Sequence, residues 1–201
     1  MSVQIFVADN EISIDQAGGT LNLDVEQLGS GNLIGGQSAA AGSMTALDLD
    51  GTTMTIEFDG DSNQFDIQVD PTNTYGADTS NLNIDVTGNS NDMSLDQATS
   101  AMASTLDLDW IIQGDSNTID VDIDVDLATN YMDIDGDSNT IDYDGDGYQG
   151  GYFYLDHTGN SRTINVTQAS TLDNDWLRII SNGSSGTFCI IQNDQGTSTS
   201  C

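Results

Sequence analysis

The sequence predicts an all-β protein, a β-solenoid of about seven stacked strand–arc–strand rungs with two main sheets. A four-residue turn, G-x-x-N, recurs as "GSGN" at 29, "GDSN" at 60, "GNSN" at 88 and "GDSN" at 114 and 136, with degenerate copies "GNSR" at 159 and "GSSG" at 183. Successive glycines stand 31, 28, 26, 22, 23 and 24 residues apart, so the units tighten toward a regular period while variable loops absorb the extra length. Apolar residues alternate with polar ones on both arms of the turns. Self-similarity at such a period marks an array in which each unit buries its apolar face against its neighbours.

In chain order, residues 1–20 read as an N-terminal cap or attachment segment, 21–192 as the repeat array and 193–201 as a C-terminal tail. On the arm before the turn, four residues ahead of the Gly, stand Ile56, Ile84, Trp110, Met132, Leu155 and Ile179. Two residues ahead stand Phe58, Val86, Ile112 and Ile134, and the pattern breaks at His157 and Ser181. On the arm after the turn, two positions past the Asn slot, stand Phe65, Met93, Ile119, Ile141, Ile164 and Phe188. Two further on stand Ile67, Leu95, Val121, Tyr143, Val166 and Ile190. Period-2 alternation on each arm is the signature of a strand with one face buried. The turn has its own chemistry: Gly permits positive φ at a sharp corner, and the Asn slot stacks Asn32, Asn63, Asn91, Asn117 and Asn139, an expected hydrogen-bonded amide ladder. Thr118, Thr140, Thr163 and Thr187 follow as a β-branched ladder. Arg162 and Gly186 interrupt the Asn column near the end, as terminal repeats do.

Composition narrows the partners. The chain of 201 residues is 36% apolar, which predicts a thin core, and its formal charge is −31 with two arginines, Arg162 and Arg178, and no lysine. Such a surface repels phosphate backbones and anionic lipid, so neither nucleic acid nor membrane insertion is expected, and cations are the natural counterpart. The periodic Ile, Val, Leu and Phe separate it from acidic disordered chains. The N-terminus "MSVQIFVADNEIS" lacks the basic and long apolar regions of a secretory signal.

The acids fall into ladders. Glu57, Asp85, Asp133 and Asp156 share one outward column with Ile111, and Asp66, Asp120 and Asp142 share another with Ser94 and Asn165. Charges on adjacent rungs, about 4.8 Å apart, repel by about 1 kcal/mol in water. Two readings follow: a solvated face that blocks sideways strand pairing, or carboxylates gathered for calcium, with Asp120 and Asp122 as candidate ligands. "DYDGDG" at 142–147 matches D-x-D-x-D-G, the opening of a calcium loop, and adds Asp142, Asp144 and Asp146; Phe153 occupies the position where such a loop has its Glu, and no flanking helices are readable, so a structural turn is the competing reading. No cofactor is required by any of this.

Cys189 and Cys201 are candidates for a disulfide that ties down the tail, or for two free thiols. The single histidine, His157, stands in an inward column and pairs with no readable nucleophile, and no cluster of acids with aromatic groups suggests glycoside hydrolysis. No enzymatic activity is expected.

"QLGSGN" at 27–32 fits the pattern Q-x-G-x-x-N, and "QGDSN" at 113–117 is a near variant. On these residues the chain resembles the curlin-repeat proteins, and the likeness extends loosely over 21–192. In its degenerate form it also resembles virion structural proteins of marine tailed phages. The resemblance implies a non-enzymatic structural fibre or decoration protein of a virus particle, a homo-oligomer whose partners are other virion proteins or copies of itself. The alternative it implies is a secreted, extracellular curli-like adhesin or matrix fibre subunit.

Overall fold

The structure is a computed structural model that describes residues 2–5, 11–12, 15–17, 20–31, 33–34, 45–48, 51–69, 80–97, 106–124, 127–145, 151–169 and 175–192. The N-terminal segment contributes β1 (Ser2–Ile5), β2 (Glu11–Ile12) and β3 (Asp15–Ala17). The first turn joins β4 (Thr20–Leu28) to β5 (Leu33–Ile34), and β6 (Thr45–Asp48) follows. Six further turns join β7 (Gly51–Asp59) to β8 (Gln64–Val69), β9 (Ser80–Thr87) to β10 (Asp92–Gln97), and β11 (Leu106–Gln113) to β12 (Thr118–Ile123). The last three join β13 (Thr129–Asp135) to β14 (Thr140–Gly145), β15 (Tyr152–Thr158) to β16 (Arg162–Gln168), and β17 (Trp176–Asn182) to β18 (Gly186–Gln192).

Strands before the turns form an 8-stranded sheet in the order β1-β4-β7-β9-β11-β13-β15-β17, and strands after them form the main path of a 10-stranded sheet from β18 down to β2. All pairings are parallel and in register with the repeat: Ile119 lies between Met93 and Ile141, and Trp110 between Ile84 and Met132. The described residues therefore form an all-β solenoid in which seven strand–turn–strand rungs follow the N-terminal strands β1 and β2. The segment read as a cap joins the sheets, β1 pairing with β4, β2 with β5 and β3 with β6. The tail, 193–201, lies outside the described residues, as does Asn32.

The inward columns meet in one continuous core running from Leu23 to Val166. Its largest members make edge and stacking contacts, Phe65 against Phe58 and Trp110, and Tyr143 against Phe153 at 4.3 Å. A further inward column, Leu23, Met54, Leu82, Leu108, Asn130 and Phe153, apolar but for Asn130, is buried six residues ahead of the turn glycine. Burying one such side chain stabilises by about 1.5–3 kcal/mol. The last rung departs from this burial: Phe188 and Ile190 occupy inward positions opposite Ile164 and Val166 but remain 41% and 46% exposed, because β18 ends its sheet among the described residues.

Candidate functional site

The turn edge carries two side-chain ladders that run in opposite directions. The Asn slot is buried, and each side-chain carbonyl turns back to accept a backbone N–H from the rung before. Asn91 Oδ1 accepts from Asn63 N at 2.8 Å, Asn117 Oδ1 from Asn91 N at 2.9 Å, and Asn139 Oδ1 from Asn117 N at 2.8 Å. The ladder thus runs from side chain to backbone, because the inward turn leaves each of these Asn N–H groups facing the next rung. Two of the amide groups also donate to turn carbonyls: Asn63 Nδ2 to Gly60 O of its own turn, and Asn139 Nδ2 to Gly136 O of its own turn and Gly114 O of the turn before. Where Arg162 replaces Asn, its Nη1 donates to Gly159 O at 2.9 Å, the same i−3 carbonyl, and to Ser185 O. The guanidinium lies 5.2 Å from the Phe188 ring.

The second ladder occupies the position after the glycine: Ser30, Asp61, Asn89, Asp115, Asp137, Asn160 and Ser184. Here each oxygen accepts from the rung that follows. Asp61 Oδ1 receives Asn89 N at 2.7 Å, Asn89 Oδ1 receives Asp115 N, Asp115 Oδ1 receives Asp137 N, Asp137 Oδ1 receives Asn160 N, and Asn160 Oδ1 receives Ser184 N. Several of the turn aspartates are therefore structural acceptors for backbone donors. The signal for them is in the sequence, since every member of that column carries a side-chain oxygen. The corner itself needs glycine: Gly114 has φ +146°, and a Cβ there would run into Gly88 O. Serines two residues after the glycine, Ser62, Ser90, Ser116, Ser138 and Ser161, hold the left-handed conformation.

On the outer face of the second sheet, Asp120 faces Asp142 and Asp122 faces Asp144 across neighbouring strands. Asp142 and Asp144 belong to β14, so that "DYDG" is a strand whose Tyr143 points inward, and not the loop or turn expected there; Asp146, the third acid of the motif, lies outside the described residues. Strand alternation spreads the carboxylates over a flat face; among the described residues no group of three or more His, Cys, Asp or Glu converges on a metal position. Partial burial, and then the charge of Asp142, hold the Asp120 carboxyl above the ordinary range. Partial burial likewise raises Asp96, with Asp120 and Asp66 adding to it. It also raises Asp66, where a hydrogen bond from Ser94 partly opposes the shift.

The outer face of the first sheet changes character along the solenoid. Its early rungs present Asn22, Asp24, Thr53, Thr55, Asn81 and Asn83, whereas the late rungs present stacked aromatics. Tyr131 stacks on Tyr154 at 4.9 Å, Tyr152 on Trp176 at 3.9 Å, and Arg178 lies over Tyr154. This aromatic patch went unread in the sequence, because its members are one rung apart and only the register brings them together.

Inside the core, Asn130 Nδ2 donates to the Tyr143 hydroxyl at 2.6 Å, and burial pushes the Tyr143 phenol far above its usual range. His157 is fully buried between Ile134 and Ser181, and burial, followed by the Arg162 charge, keeps its imidazole below the usual range and so neutral at pH 7. Gln27 fills the same inward column and is buried. Cys189 is disulfide-bonded, on the outward side of β18 opposite Asn165; Cys201, the chain's other cysteine, lies outside the described residues.

The fold and these surfaces define a class, an acidic parallel β-solenoid with hydrogen-bonded turn ladders. Comparison with known proteins found no family model, no curated protein and no solved structure that matches the chain.

Proposed function

We propose that the chain is a non-enzymatic structural protein of a virus particle, a fibre or decoration component of the tailed-phage kind that presents a rigid, acidic β-solenoid. The observation that carries the reading is the pair of opposed ladders along the turn edge. They commit backbone donors of successive turns to the neighbouring rung, which suits an elongated scaffold. The carboxylate columns of the second sheet, through Asp66, Asp120 and Asp142, then serve as a hydrated, cation-screened face that keeps copies from pairing sideways there. Calcium is not required by this reading, and the partners are other virion proteins or further copies of the chain. The test is proteomics on purified particles combined with antibody labelling in electron micrographs. Stoichiometric, repeated labelling of the particle surface supports it, and absence from particles overturns it.

One observation favours a second reading, a secreted curli-like adhesin or matrix fibre subunit. The last rung exposes Trp176, Phe188 and Ile190 on β17 and β18, the strands that end the two sheets among the described residues, a surface on which further strands can add. Filaments that grow from purified protein, with no particle present, would select it.

A further inference from the structure

One outward column of the first sheet reads Asp109, Tyr131, Tyr154, Arg178, each residue opposite the next across a parallel strand pair. The adjacent column reads Ile111, Asp133, Asp156, Ile180, with an apolar residue at either end. On the other flank Tyr152 stacks on Trp176. Tyr131 and Tyr152 are 39% exposed and Trp176 is 42% exposed, on a face whose earlier rungs are polar. Exposed Tyr, Trp and Arg gathered inside a polar surface are the composition of an interface centre.

We propose that this face is a self-association surface, on which a second copy packs with its solenoid axis antiparallel, about a two-fold axis that lies along the strand direction between the Tyr131 and Tyr154 rungs. The order of residues points to this occupant. A two-fold of that kind reverses the column, so Arg178 meets Asp109 of the second copy, Asp109 meets its Arg178, and Tyr131 meets its Tyr154. In the neighbouring column Ile111 meets Ile180. Both columns are self-complementary under the operation, as an isologous contact demands. A parallel arrangement would set arginine against arginine.

Charge makes the same choice. Each copy carries −31, and with Arg162 buried, Arg178 is the one exposed side-chain cation. Arg178 has no carboxylate partner among the described residues; its contact is the Tyr154 ring, 5.4 Å from the guanidinium carbon. Two such copies approach where a cation meets an acid; Asp107 and Asp135, on the same face, fall opposite Trp176 and Thr158 of the second copy. Asp133 and Asp156 also fall opposite each other, but their side chains reach out less far than the tyrosines that set the spacing, which leaves both hydrated in the gap. Four rungs by four outward positions cover about 500 Å² per copy, the low end for a specific interface, so association is read at about 100 µM protein. None of this depends on the particle reading.

The experiment is a charge-swap cycle followed by analytical ultracentrifugation on the full chain at one fixed ionic strength, with circular dichroism of each variant as the folding control. Arg178→Asp and Asp109→Arg are each expected to weaken dimerisation by about tenfold or more. The double variant should return to within about threefold of the parent. Asp109→Arg is the sharper arm, because it lowers the overall repulsion between copies and must still weaken the dimer. A monomeric parent chain at that concentration overturns the proposal. So does a dimer indifferent to the single changes, or a folded double variant that fails to recover.

Discussion

Asn139→Ala tests the turn ladder where it is most fully bonded. In the parent, Asn139 Oδ1 accepts the buried N–H of Asn117 at 2.8 Å, and Nδ2 donates to Gly114 O at 3.0 Å and Gly136 O at 3.2 Å. Truncation removes three hydrogen bonds and leaves one backbone donor without a partner in a fully buried slot. At about 0.5–1.5 kcal/mol per bond, with the orphaned donor at the upper end, the expected loss is about 2–4 kcal/mol. Asn117→Ala is the internal comparison. Its side chain makes one ladder bond, to Asn91 N, and its buried Nδ2 has no partner, so removing it also relieves an unsatisfied group. The expected loss there is about 1–2 kcal/mol. Urea unfolding followed by the strand signal in circular dichroism reads both, provided that the denaturant slope stays constant. If Asn139→Ala falls within about 0.5 kcal/mol of the parent, or Asn117→Ala costs more, the ladder does not stabilise the fold as argued.

Glycine dependence should be position-specific: Gly114→Ala drives a Cβ into Gly88 O at φ +146° and is expected to abolish the cooperative melt, while Gly151→Ala, whose nearest neighbour is Ala128 O at 3.6 Å, leaves the melting temperature nearly unchanged. Ile119→Asp places a charge in a fully buried slot between Met93 and Ile141 and should cost more than about 4 kcal/mol by urea unfolding, so parent-like stability would overturn the column assignment. Asp66, Asp96, Asp109 and Asp120 have carboxyls raised in the folded state, chiefly by partial burial, so the folded chain binds more protons than the unfolded one just above the ordinary carboxylate range. The melting temperature should therefore rise as pH falls from neutrality toward about 4.5, and a fall across that window contradicts the shifts. Sodium chloride should raise it as well, with calcium giving no additional saturable step. A saturating calcium effect larger than that of magnesium would instead assign a metal role to Asp120, Asp122, Asp142 and Asp144.

The rungs, their turns and the inward columns were legible in the sequence alone because each is a one-dimensional signal: period 2 names the buried face, and a repeated G-x-x-N names the corner. Ile119, Trp110 and Tyr143 point inward for no reason beyond their parity relative to the turn. The Cys189 side chain is placed outward by the same parity, since Phe188 and Ile190 hold the inward slots. Direction and juxtaposition were not legible. Whether an Asn carbonyl bonds the rung before or the rung after depends on which backbone N–H its side chain meets in space, and the two ladders of the turn edge resolve that choice in opposite senses. D-x-D-x-D-G reads as a calcium loop or as a structural turn, and only pairing of β14 with β12 and β16 places its first four residues, 142–145, in a strand. Tyr131, Tyr154 and Arg178 are a full rung apart in sequence and become one column only through the parallel register. Phe188 and Ile190 satisfy the inward pattern yet stay exposed, because burial of an inward residue depends on having a rung on both sides. Periodicity thus determined which face of each strand is apolar, and stacking decided which of those faces is covered.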